Sequence, residues 1–188
     1  MRAISLLLPL GLALAACDTG PSVEAENASV AEVADKLRAA GGAGEFVSPG
    51  KWLSNVTVEE MSLPGMPPEM AAGMKEAMGK AGTKGAETCL TAEDVKKPKE
   101  DFFAGADKSC RYDRFTMSGG KIDAAMRCSQ GGASQVMTMA GTYGPDAYGM
   151  KMTTKAEGGS GPMAAMTMTM RVDAKRIGQC DGSETNKG

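Results

Sequence analysis

Methionine sulfurs are the side-chain groups of this sequence whose number and spacing could support chemistry. The chain has 16 methionines and no histidine. Met-x-Met patterns recur in its second half, at Met137, Met139, Met150, Met152, Met166, Met168 and Met170. Because alternate residues of a strand point to one face, each pattern places its sulfurs side by side. Thioethers select Cu(I), so one hypothesis is a copper(I)-binding face.

The same methionines also fit packing or apolar binding. Apolar residues at alternate strand positions are typical of the core face of a sheet. The flexible thioether fills irregular gaps and adapts to varied partners. We favour this interpretation over the copper site. The prediction is a Met-rich apolar face that packs a core or binds an apolar small molecule or an envelope protein.

Catalytic chemistry has little support in the residue types. Without histidine, the chain lacks the commonest general base and the usual zinc ligand. Adjacent acidic pairs such as Glu59–Glu60 and Glu93–Asp94 are typical of solvated surface charge. The formal net charge of −2 argues against nucleic-acid binding. We predict a non-catalytic protein with no resident cofactor.

The first residues of the chain predict export and lipidation. The apolar run over 4–16 follows Arg2 and is shorter than the roughly 20 residues that span a bilayer. Leu14–Cys17 matches the lipobox of bacterial lipoproteins. We predict a lipoprotein signal peptide over 1–16, lipidation of Cys17 and a periplasm-facing location at the cell envelope, with the inner and outer membranes both open. A plain secreted protein is the alternative.

Four further cysteines predict two disulfides in an exported chain. Four cysteines allow three pairings, and strand parity favours one of them. Counting outward from a Gly119–Gly120 hairpin turn places Cys110 and Cys128 on opposite faces of the sheet. Cys180 shares the even parity of the Met166–Met170 line, which places it on the apolar side with Cys128. We therefore predict the pairs Cys128–Cys180 and Cys89–Cys110.

Periodicity predicts an α+β fold with a six-stranded antiparallel meander, as a curved open sheet or a small barrel. The strands are predicted near 51–61 and in five segments after Cys110, joined by Gly-rich turns. An amphipathic helix near 67–80 carries a stripe of four methionines, namely Met66, Met70, Met74 and Met78. This helix is predicted to pack on the Met face, either permanently or as a lid hinged at Pro64–Gly65 and Gly79–Gly82.

Composition divides the remaining chain into short flanking segments and one domain. We predict a lipid tether over 17–28, a lead-in helix and linker over 29–48, a single domain over 49–182 and a disordered tail over 183–188. Ser29 and Glu32 have the spacing of a capping box at the start of the lead-in helix.

Six short motifs, in their order and spacing, resemble an uncharacterised bacterial family, domain of unknown function 3617. They are Pro49–Trp52, Leu63–Pro68, Cys89–Asp94, Cys110–Phe115, Gly119–Ala124 and Arg176–Cys180. The resemblance covers about residues 49–180. It implies a small exported protein, often a lipoprotein, with no assigned activity, and it transfers no catalytic residue.

Overall fold

The computed structural model describes residues 21–42, 46–82, 85–96, 109–130, 132–158, 164–183 and 186–187. The predicted signal peptide over 1–16 and the predicted lipidation site Cys17 lie outside these residues. Within the described residues, no helix is long and apolar enough to cross a membrane.

The described elements are three helices and nine strands that form one sheet. The helices are α1 (Val30–Ala39), α2 (Pro68–Gly82) and α3 (Ala92–Lys96). The strands are β1 (Val23–Ser29), β2 (Gly50–Ser62), β3 (Ala86–Leu90), β4 (Cys110–Ser118), β5 (Lys121–Gln130), β6 (Ala133–Gly144), β7 (Ala147–Gly158), β8 (Thr167–Gly178) and β9 (Asn186–Lys187).

The sheet is open and runs in the order β1-β4-β5-β6-β7-β8-β2-β3-β9. All neighbouring pairs are antiparallel except β3 and β9. The α+β class and the antiparallel sheet are therefore confirmed. The predicted count of six strands was too low, because β1, β3 and β9 were missed.

β1 corrects the prediction of a tether over 17–28. Its sequence is mostly polar, yet Val23, Ala25 and Ala28 are buried against β4. The alternation of buried and exposed residues is that of a strand with one solvated face. The predicted disordered tail over 183–188 is corrected in the same way, because Asn186–Lys187 pairs with β3.

α1 is part of the core. Ser29 accepts a hydrogen bond from the Glu32 backbone N–H at 3.2 Å, and the Glu32 carboxylate accepts one from the Ser29 N–H at 2.6 Å. These reciprocal bonds are the predicted capping box, and they lower the pKa of Glu32. The buried side of the helix consists of Val30, Val33, Ala34 and Leu37. The predicted lead-in helix is therefore a packed element of the domain.

The disulfides are Cys89–Cys180 and Cys110–Cys128, so both predicted pairs were wrong. The turn at Gly119–Gly120 and the register next to it are as predicted, with Phe115 opposite Ala124. A β-bulge then shifts the register between Tyr112 and Arg114. The extra residue reverses the parity of the strand beyond it. Cys110 therefore lies directly opposite Cys128.

The sheet curls around one face. Gly42, just beyond α1, lies against the carbonyl oxygens of Val95 and Lys96 in α3, which a Cβ at this glycine would approach to 2.8 Å. α1 follows β1 and α3 follows β3, and these strands lie seven spacings apart in the sheet. A flat sheet would separate them by more than about 30 Å, farther than α1 can reach. The face that carries α1 and α3 is therefore the inner face.

Tyr112 gives a stability prediction for the core under α1. Its ring is 2% exposed, and among the described residues its hydroxyl has no hydrogen-bond partner. Burial raises the pKa of this phenol. Because Tyr112→Phe removes an unsatisfied polar group, we expect the free energy of unfolding in urea to stay constant or rise by about 1 kcal/mol.

The reverse change is the control for this prediction. Phe115 packs edge-on against Tyr112 and is 1% exposed. Phe115→Tyr adds a hydroxyl to the same core, and we expect it to destabilise the fold by about 1–3 kcal/mol. A loss of stability above about 1 kcal/mol in Tyr112→Phe would show that the hydroxyl is hydrogen-bonded in solution.

Candidate functional site

The methionines of the sheet form cross-strand rows on the inner face. Met139 pairs with Met152, and Met152 pairs with Met170, so three thioethers stand side by side on β6, β7 and β8. Adjacent strands are about 4.8 Å apart, which brings such side chains into contact. We call the inner face at β6, β7, β8 and the second half of β2 the thioether face.

Two further rows flank the first one. One row continues from Met137 through Thr154 and Met168 to Met61 on β2. The other contains Met150 and Val172, and it ends at Val56. The register therefore places six of the seven predicted methionines on one face, namely Met137, Met139, Met150, Met152, Met168 and Met170. Met166 is half-buried and precedes β8, so no strand register assigns its side.

Burial of the methionines on the inner face decreases with distance from α1, although Thr154 on β7 is buried. Met117 and Met126, under the helix, are 4% and 3% exposed, and Met139 is 9% exposed. Met152 and Met170, on the next strands, are half-buried. α1 contacts β1 and β4, and α2 contacts β2. Met150 and Met152 on β7 pack at the margin of the core that α1 covers.

The far end of the inner face is closed by a second, smaller core. Trp52 packs against Tyr148 with ring centroids 5.6 Å apart, and its indole N–H donates to the Ser48 carbonyl at 3.0 Å. The other members of this cluster are Val47, Leu90, Val95 and Ala174. The thioether face therefore lies between two packed clusters and is apolar at both limits.

Thr154 is the polar residue within these rows. It is 4% exposed and pairs with Met137 on one side and Met168 on the other. The prediction from sequence did not assign it to the site, although its even position after Met150 and Met152 was the available signal. A ligand bound on this face would meet thioethers around a single hydroxyl.

The outer face carries paired polar groups. The hydroxyls of Thr153 and Thr169 are 3.2 Å apart, and the Arg171 guanidinium donates to both carboxylate oxygens of Asp173 at 2.7 and 2.8 Å. This contact lowers the pKa of Asp173. Lys151 pairs with Glu59 at 2.8 Å, which raises the pKa of the ammonium group. These contacts neutralise the charges in pairs.

A shallow groove of about 430 Å³ crosses the outer face at the ends of β7, β8 and β2. Leu53, Asn55 and Lys175 line it together with the Arg171–Asp173 pair. It is continuous with solvent, and its guanidinium is already bound by a carboxylate. The groove therefore offers fewer features for recognition than the thioether face.

Metal ligands of the usual kinds do not converge in the part of the chain that the structure describes. No group of three or more Cys, Asp or Glu side chains there is placed to hold a metal ion. The thioethers of the inner face are therefore the soft-ligand candidates, with the row Met139–Met152–Met170 as the densest set.

The methionine stripe of α2 is not docked on the thioether face, which corrects the predicted packing of the Met-rich helix. The helix runs beside β2, where the Lys75 ammonium donates to the Glu59 carbonyl at 2.7 Å. Met66 is half-buried, but Met70, Met74 and Met78 are exposed. Neither a docked stripe nor a closed lid over the inner face is observed.

The family assignment follows from a comparison with known proteins. The family model described as "Protein of unknown function (DUF3617)" matches residues 47–180. The chain belongs to this family. No curated protein and no solved structure matches the chain at a significant level.

The DUF3617 match contains the thioether face and both disulfides. It does not contain α1, the helix that covers one side of the inner face. It begins at Val47, whereas β1 and α1 end before that residue. The match also contains α2 and its exposed methionines. In this DUF3617 protein, the core over β4 and β5 is therefore completed by a segment outside the matched region.

Proposed function

We propose that this DUF3617 protein is a non-catalytic lipoprotein of the cell envelope that binds an apolar small molecule on the thioether face. The carrying observation is the inner-face register, in which Met139, Met152 and Met170 stand in one row. Burial falls along this row, so Met152 and Met170 keep part of their surface exposed.

The packing of the face supports an acyl chain or a similar apolar group as the ligand. Each methylene removed from water contributes about 0.8 kcal/mol. Unbranched thioethers can adjust their rotamers to a flexible ligand at small cost. The flanking clusters around Tyr112 and Trp52 are fully buried. They give the rows a rigid frame on both sides.

The proposed location at a membrane surface is consistent with an apolar ligand. Lipidation at Cys17 would hold the domain close to a membrane, because five residues separate Cys17 from Val23 in β1. An extended segment of this length reaches about 20 Å. The domain would therefore meet its ligand at the membrane surface.

A titration with a fluorescent fatty acid tests the proposal. The double variant Met152→Gln and Met170→Gln keeps side-chain length but adds amides to the middle row. Because each buried amide must lose water, we expect binding to weaken about tenfold or more. The matched control is Lys155→Gln, an exposed residue on the outer face of the same strand. We expect it to bind like the wild type.

Two results would contradict the proposal. One is the absence of saturable binding by the wild-type protein at micromolar probe. The other is equal binding by the double variant and the control, with circular dichroism showing both to be folded. In that case the probe would be binding away from the thioether face.

A copper(I) role is the second candidate, favoured by the three-thioether row on adjacent strands. Soft thioethers select Cu(I) over harder ions. Anaerobic competition against a colorimetric Cu(I) chelator tests it. Copper binding predicts one equivalent withdrawn from the chelator by the wild type and none by the Met152→Gln, Met170→Gln variant. Failure of the wild type to compete at micromolar Cu(I) would exclude it.

A further inference from the structure

α2 presents a row of thioethers to solvent. Met70, Met74 and Met78 are 61%, 38% and 36% exposed. They recur at every fourth residue, so they lie along one side of the helix. A Cβ added at Gly73 or Gly79 would meet no atom within 4 Å, so the surroundings of the helix are open at these positions.

The methionines of the sheet have a different environment. Those under α1 are fully buried, and those on β7 and β8 are half-buried in the curl of the sheet. Among the described methionines, only the three on α2 are exposed. The fold therefore separates the exposed thioethers of α2 from the buried and half-buried thioethers that line the inner face.

We propose that Met70, Met74 and Met78 form a reversible oxidation site that reacts with hydrogen peroxide before the thioether face does. A sulfur lone pair attacks one peroxide oxygen, so an S–O bond forms as the O–O bond breaks. The departing hydroxide takes the proton from the transferred oxygen and becomes water. Sulfur is oxidised to the sulfoxide and the peroxide is reduced. Methionine sulfoxide reductase with a dithiol returns the thioether, forming a disulfide and water.

The attachment of α2 makes this oxidation compatible with the fold. The helix is connected to the sheet through β2 and is held there by the bond from Lys75 to the Glu59 carbonyl. The three side chains are exposed and do not belong to the core. A sulfoxide is polar, so it is tolerated at exposed positions but disrupts a core. The helix can therefore take up oxygen while the inner face remains packed.

A consequence for ligand binding rests on the proposed function. If the thioether face binds an apolar molecule, oxygen added there would lower its affinity, as an added amide would. Oxidant consumed on α2 leaves that face reduced. The helix then acts as an oxidant trap for the domain.

Peptide mapping of the full chain after a limiting dose of hydrogen peroxide tests the site. We expect the α2 peptide to gain oxygen at least about fivefold faster than the peptides of β6, β7 and β8, because reaction follows exposure. The triple variant M70L/M74L/M78L should lose this fast phase. The matched control M137L/M150L/M168L, on the inner face, should retain it. Reductase treatment should return the α2 peptide to its original mass.

Equal oxidation rates for the α2 and sheet peptides would overturn the proposal, as would a fast phase that persists in M70L/M74L/M78L. The mass readout requires no ligand. A failure of oxidation selectivity is therefore distinct from a failure of the fatty-acid titration. Circular dichroism of both triple variants checks that each is folded.

Discussion

Replacing Cys89 and Cys180 by alanine is expected to lower the free energy of unfolding by about 4–5 kcal/mol, and replacing Cys110 and Cys128 by about 3 kcal/mol. The first bridge spans 91 residues of sequence and the second spans 18. The longer loop loses more chain entropy when it is closed in the unfolded state. The first bridge also joins β3 to the segment after β8, next to the contact of Lys51 with Asp181 at 3.3 Å.

Urea unfolding of the wild type and both double variants measures this difference. Each double variant removes one whole bridge, so the bridge that remains serves as the control. Peptide mapping without reductant should find Cys110 joined to Cys128 in the first variant. Free thiols there, or equal stability losses in both variants, would contradict the observed pairing.

Leu37→Ala in α1 is expected to destabilise the protein by about 2–5 kcal/mol. Leu37 is 0% exposed and packs in the same cluster as Tyr112 and Phe115. Truncation leaves a cavity between the helix and the sheet, which the surrounding side chains fill only partly. A helix that merely led into the domain would show no such loss.

The neighbouring residue supplies the control for Leu37→Ala. Lys36 is exposed on the opposite side of the helix, and Lys36→Ala should change stability by less than about 0.5 kcal/mol. Thermal unfolding monitored by circular dichroism compares the two variants. Similar melting temperatures for both would show that α1 is undocked in solution.

Strand parity carried most of the information about the candidate site. Met137, Met139, Met150 and Met152 alternate with Thr and Lys, and this alternation placed them on one face as the register confirms. The hairpin at Gly119–Gly120 was also predicted with its register. Both features are local, because a two-residue turn fixes the pairing of the strands beside it.

The prediction of the disulfide pairs failed because of a β-bulge, which the composition of the segment does not reveal. One extra residue near Asp113 inverts the parity of the start of β4. Asp113 still forms an ion pair with Arg127 at 3.1 Å, so the bulge breaks no side-chain pairing across the hairpin. No residue of the segment marks the bulge in the way that glycine marks a turn.

β1 and α2 were misjudged because burial depends on neighbours far along the chain. β1 is polar at most positions, and only its pairing with β4 gives Val23 and Ala25 a core to enter. The stripe of α2 has the spacing of a packed helix, yet Met70 and Met74 face solvent. Helical spacing shows which residues share a side, but it does not show what that side meets.

The two groups of thioethers suggest separate tasks on one scaffold. In the proposals above, the inner rows hold an apolar molecule and the α2 row takes up oxidant. The charges of the outer face, such as Arg114 with Asp123 at 2.7 Å, are paired on the surface and serve solubility. This division explains how a chain rich in methionine can use the same side chain in two environments.

Native mass spectrometry of the full-length protein, released from its host membrane in mild detergent, tests the central claim most directly. We expect the wild type to carry an apolar small molecule. The Met152→Gln, Met170→Gln variant should be recovered mostly without this molecule, and the control Lys155→Gln should retain it. A clean apo mass for the wild type, or equal occupancy in all three proteins, would contradict ligand binding on the thioether face.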